Sequence, residues 1–284
     1  MGTSTPFSGP KGGNPLVPDF VEDDASSPAP SAPDGTPPTV PPAPPARPAP
    51  QPLPSMDRFR SARGNFTKFA KSGGSDRRAL GRAVSQYVSQ AAGGSRSATR
   101  RMGSSRGTAA RIAGFLGDVN ARGLQAALAT LNLSAMAGSS ATDILAALVE
   151  HFCPEGGSID EGIARDAFME TVIDLAAAGV TDMANLTPAQ MQTMLELYVA
   201  HTIEDRIYND VGIRGVELPA DISAAEAVRD QLHDFVLGGV TDAFSAADLN
   251  FSAIDPNTIG TTIDRIYEAS FDILEALGEE EADR

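Results

Sequence analysis

The 284-residue chain carries 22 Lys/Arg against 37 Asp/Glu, a net charge of −15, with one cysteine and no tryptophan. A single thiol excludes an internal disulfide framework and fits a reducing compartment. No apolar run reaches the ~18–20 residues of a membrane span and no apolar leader opens the chain, so a cytoplasmic protein with no membrane partner is expected.

Residues 1–55 hold 17 of the 21 prolines and are otherwise rich in Ala, Ser and Gly. Such a segment buries too little apolar area to offset its ordering entropy, so a disordered Pro/Gly/Ala-rich tail is expected, with a polyproline bias in PPTVPPAPPARPAPQPLP. It begins MGTSTPFSGPKGGNPLVP. Gly2 follows the initiator Met, and Leu16 and Val17 are a small apolar pair fit to dock a tail on a partner.

Beyond Pro54 the periodicity turns helical with almost no strand signal, which predicts an all-α body. Residues 56–125 form a basic segment, 14 Lys/Arg against three Asp, net +11. Its first predicted helix, MDRFRSARGNFTKFAK, places Phe59, Phe66 and Phe69 on one face among Arg58, Arg60, Arg63, Lys68 and Lys71. After the Gly73-Gly74 break, Ser75 is the expected cap of a second helix that carries Arg77, Arg78 and Arg82 and buries Leu80, Val84, Tyr87 and Val88. Gly93-Gly94 breaks the chain again before a third helical region through Gly123, where Gly103 and Gly107 weaken the first half by about 1 kcal/mol each relative to Ala.

Residues 126–278 form an acidic helical domain; from 126 to the end six Arg face 29 Asp/Glu, net −23. Thr142 or a nearby Ser is expected to start DILAALVEHF. Capping boxes are expected at Ser158–Glu161, Thr187–Gln190 and Ser223–Glu226. The segments LAAAGVTDMANLT and FVLGGVTDAFSAADLN echo each other, each reading as a helix that ends at Gly before an Asp-containing turn. IRGVELPADI is the one stretch expected to be extended. A last helix runs from about Thr258 to Leu277, and 279–284 are expected to be a solvated acidic tail.

Catalytic chemistry is not indicated. His151, His201 and His233 lie on three different predicted helices, and no second Cys/His pair completes a zinc site, so no catalytic residue and no metal ligand is assigned. Cys153 beside His151 is read as a buried small hydrophobe at a helix end rather than a nucleophile. Phosphate-binding loops are absent: neither GxxxxGK[ST] nor GxGxxG after a strand occurs. A non-enzymatic protein without a resident cofactor is expected.

The basic segment is the stronger functional signal. Interleaved Arg/Lys and aromatic residues suit nucleic acid, with phosphates on guanidinium groups and bases on rings. The same face suits docking on the acidic half of this chain, docking on an acidic partner, or plain solvation. The eight residues Arg58, Arg60, Arg63, Lys68, Lys71, Arg77, Arg78 and Arg82 are its candidate binding face.

Whole segments carry a resemblance: MGTS leading into GGNPLVP, then RFRSARGNFTKFAKSGGSDRRALGRAVSQYV, RRMGSSR and HFCPEGGSIDEGIARDAFMETVIDL. Through about residue 210 the chain resembles the QatB family of the bacterial Qat anti-phage defence system. The resemblance implies a non-enzymatic subunit in a complex with the P-loop ATPase QatA and the QueC-like enzyme QatC, with the TatD-like nuclease QatD of the same operon as the partner that supplies any nucleic-acid chemistry. It brings no catalytic signature.

QueC enzymes activate a 7-deazaguanine carboxylate with ATP and add ammonia, so the resemblance also implies that QatC takes an amine from this protein. The α-amine of Gly2 suits that role. Its pKa of about 7.7–8.0 lies about 2.5 below that of lysine, which makes the neutral form about 300 times more abundant at neutral pH. N-myristoylation, the rival for an MG start, wants Ser/Thr at the sixth position, where Pro6 stands. A 7-deazaguanine adduct at Gly2 is therefore expected. The Pro-rich tail is its tether, reaching on the order of 150 Å at about 3 Å per residue.

Overall fold

A computed structural model describes residues 56–153, 157–211, 216–247, 249–251 and 254–284. The tail expectation, including Gly2, Leu16 and Val17, lies outside the described residues. Among those described there are ten α-helices and no β-strand, in agreement with the all-α prediction. A 3₁₀ turn (Met56–Phe59) leads into α1 (Arg60–Lys71); α2 (Arg77–Gln86) continues as a π-helical turn (Tyr87–Ala92). There follow α3 (Ser95–Arg100), α4 (Gly103–Arg122), α5 (Leu124–Thr130), α6 (Ala141–Phe152), α7 (Ile159–Ala177), α8 (Pro188–Val211), α9 (Ile222–Ala247) and α10 (Ile259–Asp283).

The apolar residues read from the first two predicted helices turn inward: Phe59, Phe66 and Phe69, and Leu80, Val84, Tyr87 and Val88, are all buried. So are Ile263, Ile266, Tyr267, Phe271 and Leu274 of α10. One apolar core runs through both charge segments. Phe115 of α4 meets Phe152 of α6 edge-on at 5.7 Å; Phe152 stacks on Phe168 of α7 at 6.3 Å, which meets Tyr198 of α8 edge-on at 6.0 Å. The charge division therefore marks two surfaces of one body.

Local chemistry sets the helix boundaries. Gly73, Gly74, Gly93 and Gly94 take positive φ and end α1 and the π turn, a conformation that costs residues with a Cβ. Ser158 and Glu161 form the expected capping box of α7. The backbone and side chains of Thr187 and Gln190 form the reciprocal bonds of the second, at 2.9 and 3.2 Å. Ser140 starts α6, accepting from the Asp143 N–H at 3.2 Å, and Thr142 lies inside the helix.

Several boundaries differ from expectation. Asp76, not Ser75, caps α2 by accepting from the Ala79 N–H at 2.9 Å; the Ser75 hydroxyl instead donates back to the Ser72 carbonyl. Asp221, not Ser223, caps α9, taking the Ala224 N–H at 2.9 Å. Each carboxylate sits directly before the first helical residue, where its side chain reaches the N–H three positions on. The third helical region is split at the buried Met102, and the start of α4 is capped from another helix: the Ser104 N–H donates to Asp160 of α7 at 2.6 Å.

The sequence echo is not a structural one. α7 ends before Gly179 at φ 79°, whereas α9 runs straight through Gly238 and Gly239. Gly239 is a packing glycine, since a methyl there would meet Leu274 of α10 at 2.8 Å. For 279–284, expected as a solvated tail, residues 279, 280, 283 and 284 are exposed, but the segment is helical. α10 continues to Asp283 because Gly278 is a close-approach position against α2 rather than a stop. Of the stretch expected to be extended, residues 216–221 are non-helical, Ile222 opens α9, and 213–215 lie outside the described residues.

Candidate functional site

The candidate basic face is largely spent on the chain itself. The Arg63 Nε donates to the Val211 carbonyl of α8 at 2.8 Å. Lys71 pairs with Glu217, and Arg77 with Glu281 at 3.2 Å. Arg78 donates to the Arg284 carbonyl and Arg82 to the Ala282 carbonyl, so α2 grips the end of α10. Arg60 is held locally by Asp57, and Arg58 lies over the Phe59 ring at 4.6 Å. Lys68 is exposed.

The same pattern continues beyond those eight residues. Arg96 pairs with Glu268 and Arg106 with Asp264, both on α10. Arg101 lies 3.9 Å from Asp210 of α8, which also accepts from the Tyr87 hydroxyl at 3.0 Å. Burial first, then the Asp210 charge, pushes the Tyr87 phenol well above its ordinary range. Most of these ion pairs are too exposed to add much stability, but together they orient the basic helices on the acidic half.

Cys153 sits where its sequence reading placed it, buried at the end of α6, with Sγ 3.6 Å from the Ala164 carbonyl. Burial pushes its thiol up to about 11. A thiol so disposed is a poor nucleophile.

The histidines give a different result. They lie on α6, α8 and α9, as expected, but two of them meet. An open pocket of about 350 Å³ is lined by Glu170 and Asp174 of α7, His201 and Glu204 of α8, and Arg229 and His233 of α9, among others. Nε2 of His201 lies 2.7 Å from an Asp174 oxygen and its Nδ1 3.2 Å from Glu170. Nδ1 of His233 lies 3.0 Å from Glu204. The two imidazoles overlap at 4.8 Å between centroids, tilted by 30°.

Burial disfavours the charged form of His201, but the hydrogen bonds its ring donates to Glu170 and Asp174 outweigh it and raise the pKa. Glu170 moves the opposite way, held below the usual carboxylate range by the His201 bond against its partial burial. Sequence reasoning missed this cluster. The available signal was the i, i+4 pair Glu170/Asp174 and the i, i+3 pair His201/Glu204, each on one helix face.

Comparison with known proteins adds one finding. A family model described as Qat anti-phage system associated protein QatB matches residues 93–274, from the Gly93 break into α10. No curated protein and no solved structure matches the chain. No helix among the described residues is long and apolar enough to cross a membrane.

Proposed function

The chain belongs to the QatB family, the associated proteins of the Qat anti-phage system, and from that premise we propose that it is a non-enzymatic subunit of the system's complex and the protein substrate of its QueC-like member. The family match, spanning well over half of the chain, carries this reading. In it the helical body docks with the QatA-type ATPase and QatC, and the N-terminal tail presents Gly2 to the QatC active site. ATP activates the carboxylate of a 7-deazaguanine, the neutral Gly2 amine attacks its carbonyl carbon, the activating group leaves, and an amide forms with loss of the amine proton. The TatD-like nuclease QatD supplies any nucleic-acid chemistry.

The nucleic-acid-adaptor alternative for residues 56–125 has less support. Five of its eight candidate residues direct their charge or N–H groups to the chain's own acidic half. An adaptor of that kind requires binding that falls steeply with salt.

Intact-mass measurement of the protein co-expressed with QatA and QatC tests the substrate reading. An amide-linked deazaguanine on the fragment that begins at Gly2 is the expected result. An unmodified N-terminus in cells that resist phage would overturn it.

A further inference from the structure

The pocket between α7, α8 and α9 has the make-up of a metal centre. One carboxylate oxygen of Asp174 and one nitrogen each of His201 and His233 all lie within 4.8 Å of one another. The geometry points to a divalent transition-metal site, of the zinc class, with Asp174, His201 and His233 as its protein ligands and Glu170 and Glu204 as the carboxylates that orient the two imidazoles.

Three observations carry this. First, the donors are of the right kind. Two imidazole nitrogens and one carboxylate select a d-block divalent ion over Mg²⁺ or Ca²⁺, which prefer all-oxygen shells. Second, the outer partners are already in place. A metal-bound histidine normally gives its other ring N–H to a carboxylate, which fixes the tautomer and the ring plane. Glu170 stands at Nδ1 of His201, whose Nε2 faces Asp174, and Glu204 stands at Nδ1 of His233, which leaves Nε2 of that ring for the ion. His201 is buried and so is Glu204, so this arrangement is built into the packing of α8.

Third, the pocket calls for a cation. Glu170, Asp174, Glu204, Glu226 and Asp230 line it, against Arg229 as the one permanently charged base among the lining residues. A tetrahedral ion holds its donors about 3.3 Å apart, so the longest separation closes by about 1.5 Å on binding. Asp174, 40% exposed, is the ligand with the most room to turn toward the ion. Three protein ligands beside an open pocket leave a fourth position to water or to a group from a partner. The ion would also tie together α7, α8 and α9.

The test uses the full chain, untagged and stripped with EDTA. Titration with Zn²⁺ by calorimetry is expected to give saturable binding of one ion per chain, and Co²⁺ to give visible d–d bands. His233→Ala and Asp174→Asn are each expected to weaken binding at least about tenfold, and Glu204→Gln and Glu170→Gln by about ten- to 100-fold. His151→Ala, on the exposed face of α6, is expected to leave binding unchanged. Should His233→Ala fail to fold by circular dichroism, Asp174→Asn, at a side chain 40% exposed, decides the matter. Absence of saturable binding to the wild-type chain, or unchanged affinity in Asp174→Asn, overturns the proposal.

Discussion

Gly81 of α2 and Gly278 of α10 meet backbone to backbone: a methyl on Gly81 would lie 2.6 Å from the Gly278 carbonyl oxygen, and one on Gly278 2.7 Å from the Gly81 carbonyl oxygen. Alanine at either position therefore pushes the two helices apart. The gain in helix propensity, about 1 kcal/mol, is outweighed by overpacking of about 1–3 kcal/mol. Gly278→Ala is expected to lower stability in urea by up to about 2 kcal/mol. Gly114→Ala, where nothing lies within 4 Å, is expected to raise it by about 0.5–1 kcal/mol. Equal effects from the two would contradict the close approach.

The start of α9 separates two caps. Asp221 accepts the Ala224 N–H, while Ser223 is exposed on the first turn. Asp221→Ala is expected to cost about 1 kcal/mol, and Ser223→Ala to stay within about 0.5 kcal/mol of the wild type. Chemical denaturation of the pair reads the difference directly.

Asp205 sets a pH dependence. Burial, then the charges of Glu170, Glu204 and, least, Asp166 raise its pKa to about 7, against His201, which lowers it. A folded-state pKa above the unfolded one means that the contribution to stability is complete below about pH 4 and is lost as pH rises through about 7. His201, also raised, loses its contribution in the same direction at higher pH than an ordinary histidine. Asp205→Asn is expected to gain about 1–2 kcal/mol over the wild type at pH 8, after discounting for solvent screening, and little at pH 4. Melting curves in EDTA across pH 4–8 test it, and a constant difference would refute the assignment. The wild-type curve keeps a residual slope from His201.

Cys153 is expected to resist thiol reagents. With its pKa raised to about 11, its thiolate at pH 8 is about 200 times scarcer than that of a free cysteine, and burial blocks approach as well. Reaction with a disulfide reagent is expected to become fast only on adding denaturant. A rapid native-state reaction would place the thiol at the surface.

What the sequence disclosed was local. Apolar stripes such as Leu80/Val84/Val88 and the boxes Ser158–Glu161 and Thr187–Gln190 depend on residues within one or two turns, so periodicity and capping chemistry suffice to find them. What it hid depends on neighbours brought in by packing. Gly239 and Gly278 carry the same letter as a helix stop but serve close approach between helices. Asp160 caps a helix that begins 57 residues earlier, and Asp174, His201 and His233 converge only once α7, α8 and α9 pack side by side. The positive charge of residues 56–125 was legible, but its partners on α10 were not, because they lie near the other end of the chain.

The pairing of α2 with α10 also sets the order in which the protein is completed. The residues that touch, Gly81 and Gly278, are 197 positions apart. At a translation rate of about 5–20 residues per second, α2 leaves the ribosome about 10–40 s before its partner exists. Throughout that interval the face of α2 around Gly81 has no α10 to pack against. A fragment trimmed to residues 93–274 retains the opposite defect permanently, since it lacks α2 and ends α10 short of Gly278.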